Sequence, residues 1–91
     1  MSVTIHLPAV LSRLAESQRS IEVQGDTVGQ AIEQAAVRYP QLAPRLKDER
    51  GEPYSFVTFY LNDDDIRLHD GFATPVTAGD ELTIVPAIAG G

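Results

Sequence analysis

Val3, Ile5 and Leu7 alternate with Thr4 and His6, a period of two that predicts a strand with one buried face. Ser20-Ile21-Glu22-Val23 repeats the pattern, and the two strands are expected to form a hairpin around Leu11 to Arg19. Gln24-Gly25-Asp26 has turn chemistry, and Thr27 stands three residues before Gln30. That spacing fits a capping box, in which hydroxyl and amide cover the free backbone donors of a helix start. The period then changes: Val28, Ala31, Ile32, Ala35, Ala36 and Tyr39 recur at helical spacing, with Gln30, Glu33, Gln34 and Arg38 between them. Pro40 ends this helix by disfavouring the α conformation at Tyr39.

Beyond it, Gln41 to Tyr54 is polar and broken by Pro44, Gly51 and Pro53, with room for one helical turn at Ala43 to Lys47. Phe56 to Leu61 is β-branched and aromatic and predicts a central strand. Asn62-Asp63-Asp64-Asp65 turns the chain toward a short edge strand at Ile66-Arg67-Leu68. Ala78-Gly79-Asp80 makes another turn, Glu81 to Val85 forms the last strand, and Pro86 stops it. One helix among several strands must cover one face of one sheet, which gives a two-layer α+β domain spanning residues 1–91, with a flexible tail at 87–91. If the last strand pairs beside the first, Val3, Ile5, Leu7, Val57, Phe59, Leu61, Leu82 and Ile84 share the helix side of a mixed sheet. That is the β-grasp, or ubiquitin-like, arrangement. Phe56, Thr58 and Tyr60 then face away beside His6, Thr83 and Val85. An exposed aromatic patch of this kind makes His6, Phe56, Thr58, Tyr60 and Val85 a candidate docking face.

Composition narrows the chemistry. The chain has 91 residues, 43% of them hydrophobic and 22% charged, as expected of a globular domain. Its beginning lacks a basic region and a long apolar run, so it reads as a strand rather than a signal peptide, and no stretch suits a membrane helix. A cytoplasmic location is expected. The formal charge of −6 disfavours nucleic-acid partners and favours a basic docking surface. Cysteine is absent, which excludes disulfides, thiolate metal sites, persulfide carriage and cysteine nucleophiles. His6 and His69 have no such company and read as structural or surface residues rather than metal ligands. Asn62 to Asp65 lacks the glycine and distal glutamate of an EF-hand loop. Ser12, Ser17, Ser20 and Ser55 stand outside any nucleophile elbow. The expectation is a protein that is not an enzyme and holds neither metal nor cofactor.

The remaining feature is Gly90-Gly91. Two glycines in the last two positions arise by chance in about one chain in 200, which leaves a working pair and a frayed end both open. Residues without a Cβ allow a nucleotide close to the backbone and leave the carbonyl exposed to attack. Gly91 is the candidate acyl group and Gly90 the slender neck behind it.

Taken together, Asn62 to Arg67, Gly71, Thr74-Pro75-Val76, the run Gly79 to Pro86 and the closing Ala87-Ile88-Ala89-Gly90-Gly91 resemble the MoaD/ThiS family of sulfur carriers. The front half is similar too, at Val3 to Pro8, Gly25-Asp26-Thr27 and the helix after it. Within the family the ending resembles the branch typified by CysO, the carrier of a cysteine-making pathway. The resemblance implies that a ThiF/MoeB-type enzyme uses ATP to adenylate the Gly91 carboxylate. A sulfur donor then displaces AMP to leave a thiocarboxylate. In the CysO-like branch the acceptor is an aminoacrylate on a pyridoxal-phosphate cysteine synthase, and a zinc-dependent JAMM-type peptidase releases the product. ATP, pyridoxal phosphate and zinc thus belong to partner enzymes. Ala87, Ile88, Ala89 and Gly90 are the residues that enter those enzymes' active sites. The Gln41–Pro53 segment is longer than in molybdopterin-type carriers, and the tail does not separate cysteine synthesis from thiazole, siderophore or tRNA-thiolation pathways. The same ending also suits a modifier joined to lysines.

Overall fold

The alternation at the start of the chain produces β1 (Ser2–His6), with Val3 and Ile5 fully buried between half-exposed neighbours. It pairs antiparallel with β2 (Ser20–Gln24), Ile5 opposite Ile21 and Val3 opposite Val23, so four aliphatic side chains share one face. The computed structural model of the chain describes residues 2–46 and 57–86. Between β1 and β2 the backbone winds through α1 (Ala9–Ser12) and a 3₁₀ turn (Arg13–Ala15), which tuck Leu11 and Ala15 into the core. These four- and three-residue pieces are too short for a readable period.

The long helix, α2 (Val28–Arg38), begins where the capping spacing places it. Thr27 is extended, and its hydroxyl accepts the Gln30 amide proton at 3.1 Å. The reciprocal bond shifts by one residue: the Gln30 carboxamide accepts from the Asp26 amide, at 2.7 Å, rather than from Thr27. Val28, Ala31, Ile32, Ala35 and Ala36 are buried on the sheet, and Tyr39 with them. Gly25 sits so close under the helix start that a Cβ there would lie 2.9 Å from the Ala31 nitrogen. After Tyr39 a 3₁₀ turn (Pro40–Leu42) leads into α3 (Ala43–Leu46). Leu42 and Leu46 are completely buried, so this segment supplies core as well as polar surface. The helical turn expected at Ala43 to Lys47 is present through Leu46, and Lys47 lies outside the described residues.

β3 (Val57–Leu61) buries Val57 and Phe59, while Leu61 packs against the core half-exposed. A tight turn at Asn62, left-handed at φ 57°, joins it to β4 (Asp64–Asp65). The edge strand expected at Ile66-Arg67-Leu68 is instead a 3₁₀ helix. The Asp65 carboxylate accepts the Arg67 amide proton at 2.9 Å and caps that turn, which lets Ile66 point into the core. The final strand, β5 (Glu81–Pro86), runs parallel to β1 and antiparallel to β3. The sheet order is β2-β1-β5-β3-β4. The strand after residue 56 is interior, as expected, and β5 stands in the middle of the sheet, between β1 and β3.

Entry into β5 is held by a polar knot. Gly79 adopts φ 89°, a conformation glycine takes without a Cβ clash. Thr77 donates to Asp80 Oδ2 from its amide at 2.8 Å and from its hydroxyl at 3.2 Å, and the Asn62 amide reaches Oδ1 at 3.3 Å. Asn62 Oδ1 in turn accepts the Glu81 amide proton, and the Thr4 amide donates to the Asp80 carbonyl. The bond from the Thr77 amide, joined by those from Asn62 and the Thr77 hydroxyl, holds the Asp80 carboxyl below the ordinary carboxylate range. A carboxyl depressed in the folded state stabilises the fold above its unfolded value of about 3.9, and that contribution is lost as pH falls through the folded value. Asp80→Asn is expected to lower stability by about 1 kcal/mol at neutral pH, the worth of weakened hydrogen bonds to a charged group. Its unfolding free energy should also fall less steeply below about pH 4. Urea denaturation at neutral and acid pH measures both, and parallel pH profiles for variant and parent would remove Asp80 from the acid response.

Candidate functional site

With α2 and α3 on one side, no element among the described residues covers the other face of the sheet, here called the open face, and the register decides what it displays. A row crosses it from β2 to β4: Ser20 opposite His6, His6 opposite Thr83, Thr83 opposite Tyr60, and Tyr60 opposite Asp65. One step toward the end of β5, Thr58 stands opposite Val85, which is 44% exposed. The structure thus brings four of the five expected face residues, His6, Thr58, Tyr60 and Val85, onto one surface. Phe56 lies outside the described residues.

The face is bordered by charge. His6 Nε2 and Glu81 Oε1 are 2.6 Å apart, a diagonal pair across β1 and β5 with both side chains well exposed. At the opposite border Arg67 grips Asp65 with a fork: Nε is 3.1 Å from Oδ1 and Nη2 is 2.7 Å from Oδ2. The side-chain bond from Arg67, supported by its amide, holds the Asp65 carboxyl below its ordinary range, and the same contact raises Arg67. Leu68, next in the chain, is 81% exposed. Glu81 and this Asp65–Arg67–Leu68 border were not among the sequence candidates. Glu81 was legible as the third member of the Val85–Thr83 register; the border was hidden by the strand expected there. His69 Nε2 lies 3.6 Å from Asp64 Oδ2, away from His6. Among the described residues no three histidine, cysteine or acidic side chains converge as a metal site would require. No helix among them is long and apolar enough to cross a membrane.

The second feature is where β5 leads. Its last residue, Pro86, pairs with Val57 at the Thr58–Val85 end of the open face. Ala87, Ile88, Ala89, Gly90 and Gly91 follow and lie outside the described residues. Five residues reach at most about 17 Å when extended, so covalent geometry alone keeps Gly91 within that radius of the sheet.

A mixed sheet with its first and last strands parallel at the centre, gripped on one face by a single long helix, defines a ubiquitin-like β-grasp protein. The ThiS family profile matches residues 5–91, and the chain belongs to that family. It is 39% identical over 93 residues to the sulfur carrier protein CysO of Mycobacterium tuberculosis, an alignment covering all of both chains. It is also similar to a chain in the crystal structure of the Amycolatopsis orientalis BexX/CysO complex, with a TM-score of 0.91 and 36% identity over 98% of this chain and 99% of that one. The crystal structure of small archaeal modifier protein 1 from Haloferax volcanii matches over the full length of both chains with a TM-score of 0.85 and 30% identity.

Proposed function

We propose that this protein carries sulfur as a thiocarboxylate on Gly91. The observation that supports the reading is the family match over residues 5–91, together with 39% identity to the sulfur carrier protein CysO of Mycobacterium tuberculosis along the whole chain. The central position of β5 supports it, because a strand bonded on both sides is a firm base from which a short segment can be presented.

In the proposed cycle the Gly91 carboxylate attacks the α-phosphorus of ATP on a ThiF/MoeB-type enzyme, and pyrophosphate leaves. The mixed anhydride turns a carboxylate oxygen into a good leaving group. A sulfur nucleophile adds at the carbonyl carbon, AMP departs, and the terminus keeps the sulfur as a soft anion. The acceptor implied by the likeness to CysO is an electrophile on a pyridoxal-phosphate cysteine synthase, with a zinc-dependent JAMM-type peptidase releasing the amino acid. The chain contributes a shape and a terminus and no catalytic group. The open face around Tyr60 and Val85 docks the activating enzyme while residues 87–91 enter its site.

Intact-mass measurement on protein from its own host tests the proposal. A sulfur-for-oxygen increment on the Gly91 fragment is the expected result, and its absence in cells actively making the sulfur product overturns it. A second reading, a modifier joined to lysines, is favoured by the likeness to small archaeal modifier protein 1. It requires larger species branched through lysine in the same measurement.

A further inference from the structure

In an antiparallel ladder, alternate residues turn both backbone groups toward the neighbour and the others turn away. The Leu7 amide donates to the Arg19 carbonyl at 2.7 Å, and the register continues through Ile5–Ile21 and Val3–Val23. Ser20, Glu22 and Gln24 therefore turn their backbone groups outward, and β2 is the last strand of the sheet on that side. Such an edge is a template for another strand.

Helix α2 reaches over it. Gln30, Gln34 and Arg38 are spaced four residues apart, and each bonds every second residue of the facing backbone. Gln30 Oε1 accepts from the Asp26 amide at 2.7 Å, Gln34 Oε1 from the Gln24 amide at 3.4 Å, and Arg38 Nη1 donates to the Glu22 carbonyl at 2.8 Å. Four helical residues rise about 6.0 Å and two strand residues about 6.7 Å, so the repeats stay matched over three rungs. These side chains stand in for a neighbouring strand. All three are exposed, and the middle rung is long. A groove of about 390 Å³ runs beside them, lined by Gln24, Asp26, Gln30, Glu33 and Gln34. A second depression on the helix is lined by Glu33, Gln34, Val37 and Arg38, with Val37 74% exposed.

We propose that the outer edge of β2 is a strand-addition site for an extended, basic segment of a partner chain, held shut by the Gln34 and Arg38 rungs until that segment displaces them. Charge selects the occupant. Glu22 is exposed at the centre of the edge, and a second copy pairing antiparallel in full register would set Glu22 against its own image. Like charges directly opposite are destabilising, and the chain as a whole carries −6. A lysine or arginine opposite Glu22 sets a cation beside its carboxylate, while Arg38 gives up only the Glu22 carbonyl, and an apolar neighbour in the segment can rest on Val37. The edge adjoins the open face at Ser20 and Glu22 but lies across β1 from Val85 and Tyr60, so the two surfaces can be occupied together.

The probe is a capped pentapeptide, threonine-valine-lysine-valine-threonine, titrated into the isotope-labelled protein and followed by two-dimensional NMR. Saturable shifts confined to residues 20–26 and 30–38 are expected. In the Gln34→Ala/Arg38→Ala variant the peptide should bind about tenfold tighter, because two modest hydrogen bonds no longer compete. The same peptide with glutamate in place of lysine should leave the spectrum unchanged. Absence of binding to the opened variant overturns the proposal, as do shifts centred on Tyr60 and Val85 or equal binding of the acidic peptide. Self-association of the variant without peptide overturns it too, by making a second copy the occupant.

Discussion

Deletion of Gly91 is expected to abolish adenylylation of this protein while leaving its folding unchanged. Removing one residue withdraws the carboxylate by about 3.5 Å. A reacting group misplaced by even about 1 Å can cost ~100-fold, so a shift of this size exceeds what a shaped channel tolerates. It also places the carboxylate on Gly90, whose preceding residue is Ala89, and so brings a Cβ one position closer to the nucleotide. The matching variant on the body of the protein is Tyr60→Asp. It puts a negative charge beside Thr83 in the middle of the open face and leaves the buried side of β3 intact. Adenylylation should slow several-fold through weaker docking, read as a higher KM with little change in kcat. Pyrophosphate release with the cognate activating enzyme measures both variants. Full activity of the shortened chain would end the carrier reading. An unchanged KM for a folded Tyr60→Asp protein would remove the open face from it and leave the terminus in place.

Phe59→Ala should be the most damaging single change to the fold. Phe59 is 1% exposed on β3, beside the central strand, and its ring lies 5.4 Å from that of Phe72 at 52°. Truncating a buried phenylalanine costs about 3–5 kcal/mol through lost transfer energy and the cavity left behind. A domain of 91 residues has only about 5–14 kcal/mol in hand, so the variant is left marginal, with Tm lower by roughly 15–30 °C. Thr58→Ala, one residue away on the open face, should change stability by less than about 1 kcal/mol. Urea and thermal unfolding of the pair test the two-sided character of the sheet. Similar losses for both would mean that the open face is packed in solution.

The knot around Asp80 and the ladder along β2 show why two parts of this fold differ in legibility. Asp80 and Gly79 announce a turn from the sequence alone, because glycine and aspartate have local reasons to sit there. Nothing local shows that Asn62, eighteen residues earlier, completes the same knot at 3.3 Å. Gln30, Gln34 and Arg38 read in isolation as the solvated side of an amphipathic helix. Only the docking of α2 beside β2 turns that side into a cover for backbone groups. Leu42 and Leu46 were hidden in a stretch that looked polar, since two apolar residues four apart, with Pro44 between them, fit a period of two as well as one of 3.6 and single out neither. The strand expected at Ile66 to Leu68 failed for a related reason: three residues cannot distinguish a strand from a capped 3₁₀ turn, and the Asp65 carboxylate settled the matter.

What the amino-acid order determined by itself was the identity of the long elements and their inward faces, along with the family resemblance that made Gly91 the candidate acyl group. Hydrophobic periodicity and capping are local, and the resemblance that singled out the two glycines is carried by the order of motifs along the chain. What the tertiary structure decided was adjacency: β5 in the middle of the sheet, His6 and Tyr60 flanking Thr83, and α2 lying over the edge of β2. Those pairings join residues far apart in the chain. They are set by which burial of the whole sheet leaves the fewest backbone groups unpaired, a condition no short window of sequence contains.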